Sequence, residues 1–311
     1  MVTFTFSLNL ISDFEMMWRY EFMRNGFEAG TVIAILAGVT GYFVVLRRSA
    51  FVAHAFSDIG FAGAEGVVLL GLAPIYGLLG ASILGGLGIA ALGRRAVNRA
   101  TTIGIVLAFA LGLGLLFNSL YTQYSGGKSN ITQAYSILFG DLLGINTSSV
   151  FLTLFASIAI LAFLAFLYRP LLFSSLDEDV AEAKGLPMLL IGTAFMLLVA
   201  AAVSFSVLAT GTLLIFSLMV TPAATAQYIA RRPQRAILVS VAIALAATWS
   251  GLFIAFYTSY PVSFYITAEV FALYLIVRIL NWALKWRVRS KDMSALPVDA
   301  ATASEVPPLK A

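Results

Sequence analysis

Six long stretches of this chain carry no charged side chain: those between Glu28 and Arg47, Glu65 and Arg94, Arg99 and Lys128, Asp141 and Arg169, Lys184 and Arg231, and Arg235 and Glu269. Crossing the hydrocarbon of a bilayer takes about 20 apolar residues at 1.5 Å rise each, so each stretch suffices for a membrane helix. The Lys184 to Arg231 gap is long enough for two. With 60% hydrophobic and 11% charged residues, and a mean hydropathy of +0.95, the composition lies outside the range of soluble globular proteins.

The runs are continuously apolar and do not alternate, which selects helices over a membrane β-barrel. The expected fold is an all-α polytopic bundle of eight or nine spans, near 26–46, 50–70, 74–94, 101–121, 149–169, 188–207, 210–229, 235–257 and 263–284. Arginine and lysine collect in alternate loops, at Arg47 and Arg48, at Arg94, Arg95 and Arg99, at Arg169, at Arg231, Arg232 and Arg235, and from Arg278 to Lys291. Cations concentrate on the cytoplasmic side of membrane proteins. Nine spans then put the N-terminus outside and the C-terminus inside, with the cation-poor loops around Pro74, Gly126 and Pro261 facing out.

The pI of about 9.3 follows from this topological bias; no clustered basic face with stacking aromatics points to nucleic acid. The chain has no cysteine, so disulfides and thiolate ligands are excluded and a metal must be held by His, Asp, Glu or backbone oxygen. Residues 1–25 lack the basic n-region of a cleavable signal and read as an interfacial segment. Residues 26–285 form the membrane domain, and 286–311, poor in bulky apolar side chains, read as a disordered tail. There is no clear internal repeat. Without a Gly-x-x-x-x-Gly-Lys-Ser/Thr sequence the chain is not a P-loop ATPase, so it is expected to be a transport subunit and not an enzyme.

Two polar features interrupt the apolar pattern. The only histidine, His54, lies four residues before Asp58, and Glu65 follows. At 100° per residue His54 and Asp58 sit about 40° apart, with Glu65 between them in azimuth roughly two turns on. Ionisable groups at membrane depth line substrate paths or pair with something; the alternative here is an imidazole and a carboxylate bonded to each other within the bundle. Gly60, Gly63 and Gly66 fall on another face, where a neighbouring helix can approach closely. The second feature is the loop 169–187. Ser175 as N-cap, Asp177, Glu178, Asp179 and Glu182 in the early turns, Lys184 near the end and Gly185 as the stop predict a short cytoplasmic helix over 175–187. It is either a solvated connector or a dock for a cytoplasmic subunit. Thr221 and Pro222 mark a kink or broken turn. Glu269 reads as an interfacial acid, and Asp141 as the cap of a re-entrant helix or a contact for an outer partner.

Six motifs in order resemble the permease subunits of ATP-binding-cassette importers for zinc, manganese and iron. They are Val45-Leu-Arg-Arg-Ser-Ala-Phe51, His54-Ala-Phe-Ser-Asp58, Thr102-Ile-Gly-Ile-Val106, Leu138-Phe-Gly-Asp-Leu-Leu-Gly144, Ala183-Lys-Gly-Leu-Pro187, and Val220-Thr-Pro-Ala-Ala-Thr-Ala226 before Ala230-Arg-Arg232. The resemblance, over about 22–285, implies a homodimer in a bacterial cytoplasmic membrane, its lipid around it. Two copies of a separate ATPase would dock on the 175–187 helix, and an extracytoplasmic binding protein would deliver the metal. No cofactor is bound permanently; the metal is cargo. In the family, the Asp and His of the second helix line the pathway. This chain has them exchanged, His54 at the family's Asp position and Asp58 at its His position, with Ala62 for the usual Pro.

A two-fold axis beside the stripe would bring together two imidazoles and two carboxylates, a donor set suited to Zn²⁺ or, with water, to Mn²⁺ or Fe²⁺. The expected mechanism is alternating access through a weak site, because a caged ion would not leave. Imidazolium cannot ligate, so binding should be proton-sensitive. A permease for a metal chelate would share the architecture without a use for the imidazole–carboxylate pair. A gradient-driven transporter would need acids in several helices, and an intramembrane hydrolase has no triad or zinc-protease motif to draw on.

Overall fold

The computed structural model describes residues 10–91, 100–124, 131–258 and 260–294, and among them there is no strand. A short helix α1 (Leu10–Trp18) precedes α2 (Glu21–Leu46), α3 (Ala50–Val68), α4 (Pro74–Ala91) and α5 (Ala100–Tyr124). A short α6 (Ile131–Phe139), the long α7 (Thr147–Leu176) and the six-residue α8 (Glu178–Ala183) follow. The chain continues with α9 (Met188–Ile229), α10 (Pro233–Tyr257) and α11 (Val262–Ser294). Among the described residues six helices are long and apolar enough to cross a membrane: α2, α5, α7, α9, α10 and α11. The apolar α4 is shorter, and α3 falls outside the group because His54, Asp58 and Glu65 interrupt it.

The molecule is therefore the membrane-spanning helical bundle that the charge-free runs require, with shifted boundaries. α2 begins at Glu21, five residues ahead of the expected span, and α11 runs on to Ser294, into the stretch expected to be an unfolded tail; residues 295–311 lie outside the described residues. The two runs expected at 188–207 and 210–229 are halves of α9, whose 42 residues would reach about 63 Å if straight, twice the roughly 30 Å of hydrocarbon. Its non-helical residue is Gly211, at φ +74° and ψ 167°. The break is therefore not at Thr221 and Pro222, where the helix continues. Proline keeps a helical φ and removes one donor, whereas Gly211 takes a backbone conformation closed to L side chains.

Membrane helices gain little from apolar burial against apolar lipid, so close backbone approach at small residues carries much of their packing. At the α3–α4 crossing a Cβ on Gly63 would stand 2.3 Å from the Gly77 carbonyl oxygen, and Ser82 donates to the Phe56 carbonyl at 3.0 Å. Gly60 abuts Ser82 and Gly66 abuts Phe117 of α5, so the glycine face expected on α3 serves two neighbours. Gly41 presses the Met219 carbonyl of α9, and Ser240 of α10 donates to the Gly38 carbonyl at 2.9 Å. These contacts hold α3 within α4, α5 and α9, and α2 within α9 and α10.

Both loop features differ in detail from expectation. The N-cap of α8 is Asp177, whose Oδ1 accepts from the Val180 N–H at 3.0 Å; Ser175 sits inside α7 and its hydroxyl donates to the Leu171 carbonyl. A carboxylate two residues on is simply better placed at the extended residue between the helices. Gly185, at φ +78°, ends α8, with Leu186 N–H bonded to the Ala181 carbonyl and Gly185 N–H to that of Glu182, a Schellman-type stop. Asp141 caps a turn and not a helix: its Oδ1 accepts from Gly144 N–H at 2.9 Å, two residues past the end of α6.

Candidate metal path and coupling face

α3 starts directly after a tight turn in which Arg48 adopts φ 54° and Ser49 N–H bonds back to the Val44 carbonyl. That turn sets where His54 lies along the bundle. His54 Nε2 stands 4.0 Å from Asp58 Oδ2, with the side chains 22% and 5% exposed. This is too far for a hydrogen bond and about half an ångström wider than the roughly 3.4 Å that separates two donors on one tetrahedral zinc-sized ion. The carboxylate is sunk behind the imidazole. His54 Nδ1 is buried without a partner, and the imidazole packs on the Phe216 ring of α9, with centroids 4.6 Å apart. The hydroxyl of Ser57 donates to the His54 carbonyl at 2.6 Å.

Glu65 does not join them. It is fully buried, its Oε2 accepts from Asn118 Nδ2 of α5 at 3.0 Å, and its Oε1 has no partner. Among the described residues no three His, Asp or Glu side chains come together in a metal-holding group. The stripe drawn from helical geometry is interrupted because Glu65 turns to a neighbouring helix. The only sequence signal for Asn118 is an amide in an apolar helix that also holds Gln123. Glu269 is half-buried and accepts from Ser250 of α10, an α10–α11 tie.

At the α2 side of the turn that precedes α3, Arg47 gathers three elements. Its Nη1 donates to Ser174 Oγ at 3.0 Å and Ser175 Oγ at 3.3 Å, and its guanidinium lies 5.3 Å from the Phe195 ring centroid. Burial pulls the Arg47 guanidinium below its ordinary range, and the nearby Glu178 carboxylate works against that. Arg47 and Arg48 line a cleft of about 670 Å³ with Glu178, Glu182 and Thr193. Lys184 sits over the Phe173 ring at 5.0 Å. The cation-rich α2–α3 turn, α8 and the start of α9 thus share one end of the bundle.

A helical membrane bundle with an imidazole and a carboxylate four residues apart on one helix, and a short charged helix at one mouth, belongs to the class of multi-span transport proteins. The chain belongs to the ABC 3 transport family, whose model matches residues 19–281. It is 26% identical over 243 residues to the manganese transport system membrane protein MntC of Listeria monocytogenes, covering 78% of this chain and 84% of that one. It is 26% identical over 245 residues to the high-affinity zinc uptake system membrane protein ZnuB of Buchnera aphidicola, covering 78% and 92%. Among solved structures it superposes on a chain of PsaBC from Streptococcus pneumoniae in complex with Fab, with a TM-score of 0.76 and 26% identity over 86% of this chain and 95% of that one.

Proposed function

We propose that this chain is the permease subunit of an ATP-binding-cassette importer that moves a divalent transition metal, Mn²⁺ or Zn²⁺, with Fe²⁺ accepted by the same donors, into the cell. The observation that carries the reading is the His54–Asp58 pair: two metal-ligating side chains 4.0 Å apart on one helix, in a chain whose relatives are named for manganese and zinc transport. One chain offers two donors. A homodimer would offer four, and an ion shared by two weakly held pairs can be released again.

In this reading α3, α4 and the two halves of α9 cross the membrane with the five other long apolar helices, the C-terminus is cytoplasmic, and the cleft beside α8 faces the ATPase. The ATPase dimer docks on the 175–187 segment through Asp177, Glu178, Asp179, Glu182 and Lys184. Its closure reaches α3 through Arg47, which ties the α7–α8 junction to the turn ahead of His54. An outer binding protein hands over the ion, and alternating access carries it past His54 and Asp58. The test is metal accumulation, by elemental analysis, in cells co-expressing the ATPase and binding protein with the intact permease or a His54→Ala, Asp58→Ala variant. Collapse of one metal with the complex still assembled supports the reading and names the substrate; normal accumulation of every metal sinks it.

A further inference from the structure

The metal path has an unassigned companion in Phe216. Its ring lies 4.6 Å, centroid to centroid, from the imidazole of His54 at a 43° tilt. Asp58 is 5% exposed and His54 22%, so an approaching ion meets the imidazole before the carboxylate, and the phenyl ring covers part of that imidazole. A benzene ring offers no lone pair to a hydrated divalent ion in place of a lost water.

What carries Phe216 matters as much as where it sits. The residue belongs to the second half of α9, five positions beyond Gly211, and shares a helix face with Thr212 one turn before it. Thr212 Oγ1 donates to the Leu138 carbonyl at 3.3 Å. Gly211 itself lies back to back with Gly140, which is also left-handed at φ +81°: a Cβ on Gly211 would stand 2.2 Å from Gly140 N. Ser263 of α11 donates to the Phe139 carbonyl at 2.5 Å. The end of α6 is therefore clamped to the break in α9. A break without helical φ/ψ lets the two halves of α9 change their mutual angle without unwinding either.

We propose that Phe216 is a gate over His54, closed by ring contact in this conformation and moved by the Gly140–Gly211 joint when the α6–α7 turn shifts. The ring takes no part in ligating the ion; it decides when water and ion reach the imidazole. This deepens the metal-path reading and rests on it for what the gate controls, but the ring's cover of position 54 can be tested without metal.

The chain has no cysteine, so a His54→Cys substitution gives a thiol at that one position. The experiment measures how fast a charged, water-soluble thiol reagent modifies that thiol in the purified permease–ATPase complex without nucleotide, with Phe216 intact or replaced. Phe216→Ala should speed modification by about tenfold, the scale set by losing one aromatic contact, and Phe216→Trp should leave it slow. Phe216→Leu, which keeps most of the bulk, serves if the alanine variant fails to assemble, and should give a smaller acceleration. Equal rates for Phe216 and its smaller replacements would overturn the gate. A second arm keeps His54 and Asp58 and follows Mn²⁺ leak from loaded vesicles without ATP: Phe216→Ala should raise it, and no rise overturns the gate. Failure of the metal path has a different signature, namely normal uptake by the His54→Ala, Asp58→Ala variant whatever the labelling rates.

Discussion

At the scale of single residues, the polar groups on α3 divide by their partners. His54 and Asp58 face each other without a hydrogen bond, whereas Glu65 is committed to Asn118. Asn118→Ala would leave both Glu65 oxygens buried without a donor, and an unmet buried polar group costs about 1–3 kcal/mol. The melting midpoint of the purified permease should fall accordingly, and an additional Glu65→Leu change should recover much of it; a midpoint unmoved by Asn118→Ala would mean that Glu65 draws on another donor. The double exchange His54→Asp with Asp58→His keeps one imidazole and one carboxylate per chain. It should therefore sustain metal uptake that the double alanine variant loses, and loss in both would show that the order of the pair is itself part of the site. Helical periodicity made the His54–Asp58 pairing legible, because residues four apart share a face whatever surrounds them. The fate of Glu65 was not legible, because its partner lies 53 positions away on another helix, and nothing in local spacing says which neighbour a buried acid will meet.

Elements obey a similar division between local and long-range causes. The stop of α8 at Gly185 was readable because a helix followed by Gly-Leu-Pro ends there for local reasons, while its start slipped from Ser175 to Asp177 because α7 runs on to Leu176. Asp177→Ala removes the N-cap and should cost α8 about 1 kcal/mol, read as weaker recovery of the ATPase with the permease; Ser175→Ala should leave that recovery nearer to normal. The split between the expected spans 188–207 and 210–229 falls beside the α9 break at Gly211, whereas the break expected at Thr221 and Pro222 is not there, because proline is a visible signal whatever its surroundings; the positive-φ backbone of Gly211 answers to Gly140, far away in sequence. Glycine pairs of this kind differ sharply in what they tolerate. At Gly185 an added Cβ meets open space, so Gly185→Ala should cost only the left-handed conformation, about 1 kcal/mol. Gly211→Ala carries a larger conformational cost, since φ +74° with ψ 167° is a region essentially confined to glycine, and drives a Cβ into Gly140, so it should lower the melting midpoint much further and uncouple uptake from assembly. Equal midpoints for the two variants would show that the α6–α9 contact can open without loss.

For the whole molecule, the hydrocarbon acts as a one-dimensional ruler, which is why the apolar runs could be marked off from the sequence while their packing could not. Hydropathy recovers α2, α5, α7, α10 and α11 directly, yet the helix that bears the proposed ligands is the one that hydropathy undervalues: α3 carries its acids and histidine in a 19-residue helix enclosed by its neighbours. Orientation is the property that every proposed step depends on, since the ion must enter at the α6–α7 turn and leave toward α8. Leu72, 51% exposed between α3 and α4, and Tyr260, 69% exposed between α10 and α11, should lie outside. Lys184, in the α8 loop, should lie inside. The cysteine-free chain makes each position testable by a single cysteine substitution and a thiol reagent that cannot cross the membrane. Leu72→Cys and Tyr260→Cys should react in intact cells, and Lys184→Cys only after the cells are opened. The opposite pattern would invert the importer, placing α8 where no ATPase could reach it. Agreement of Leu72 with Lys184 would instead mean that α4, α5 and α7 do not make the three alternating crossings that separate them.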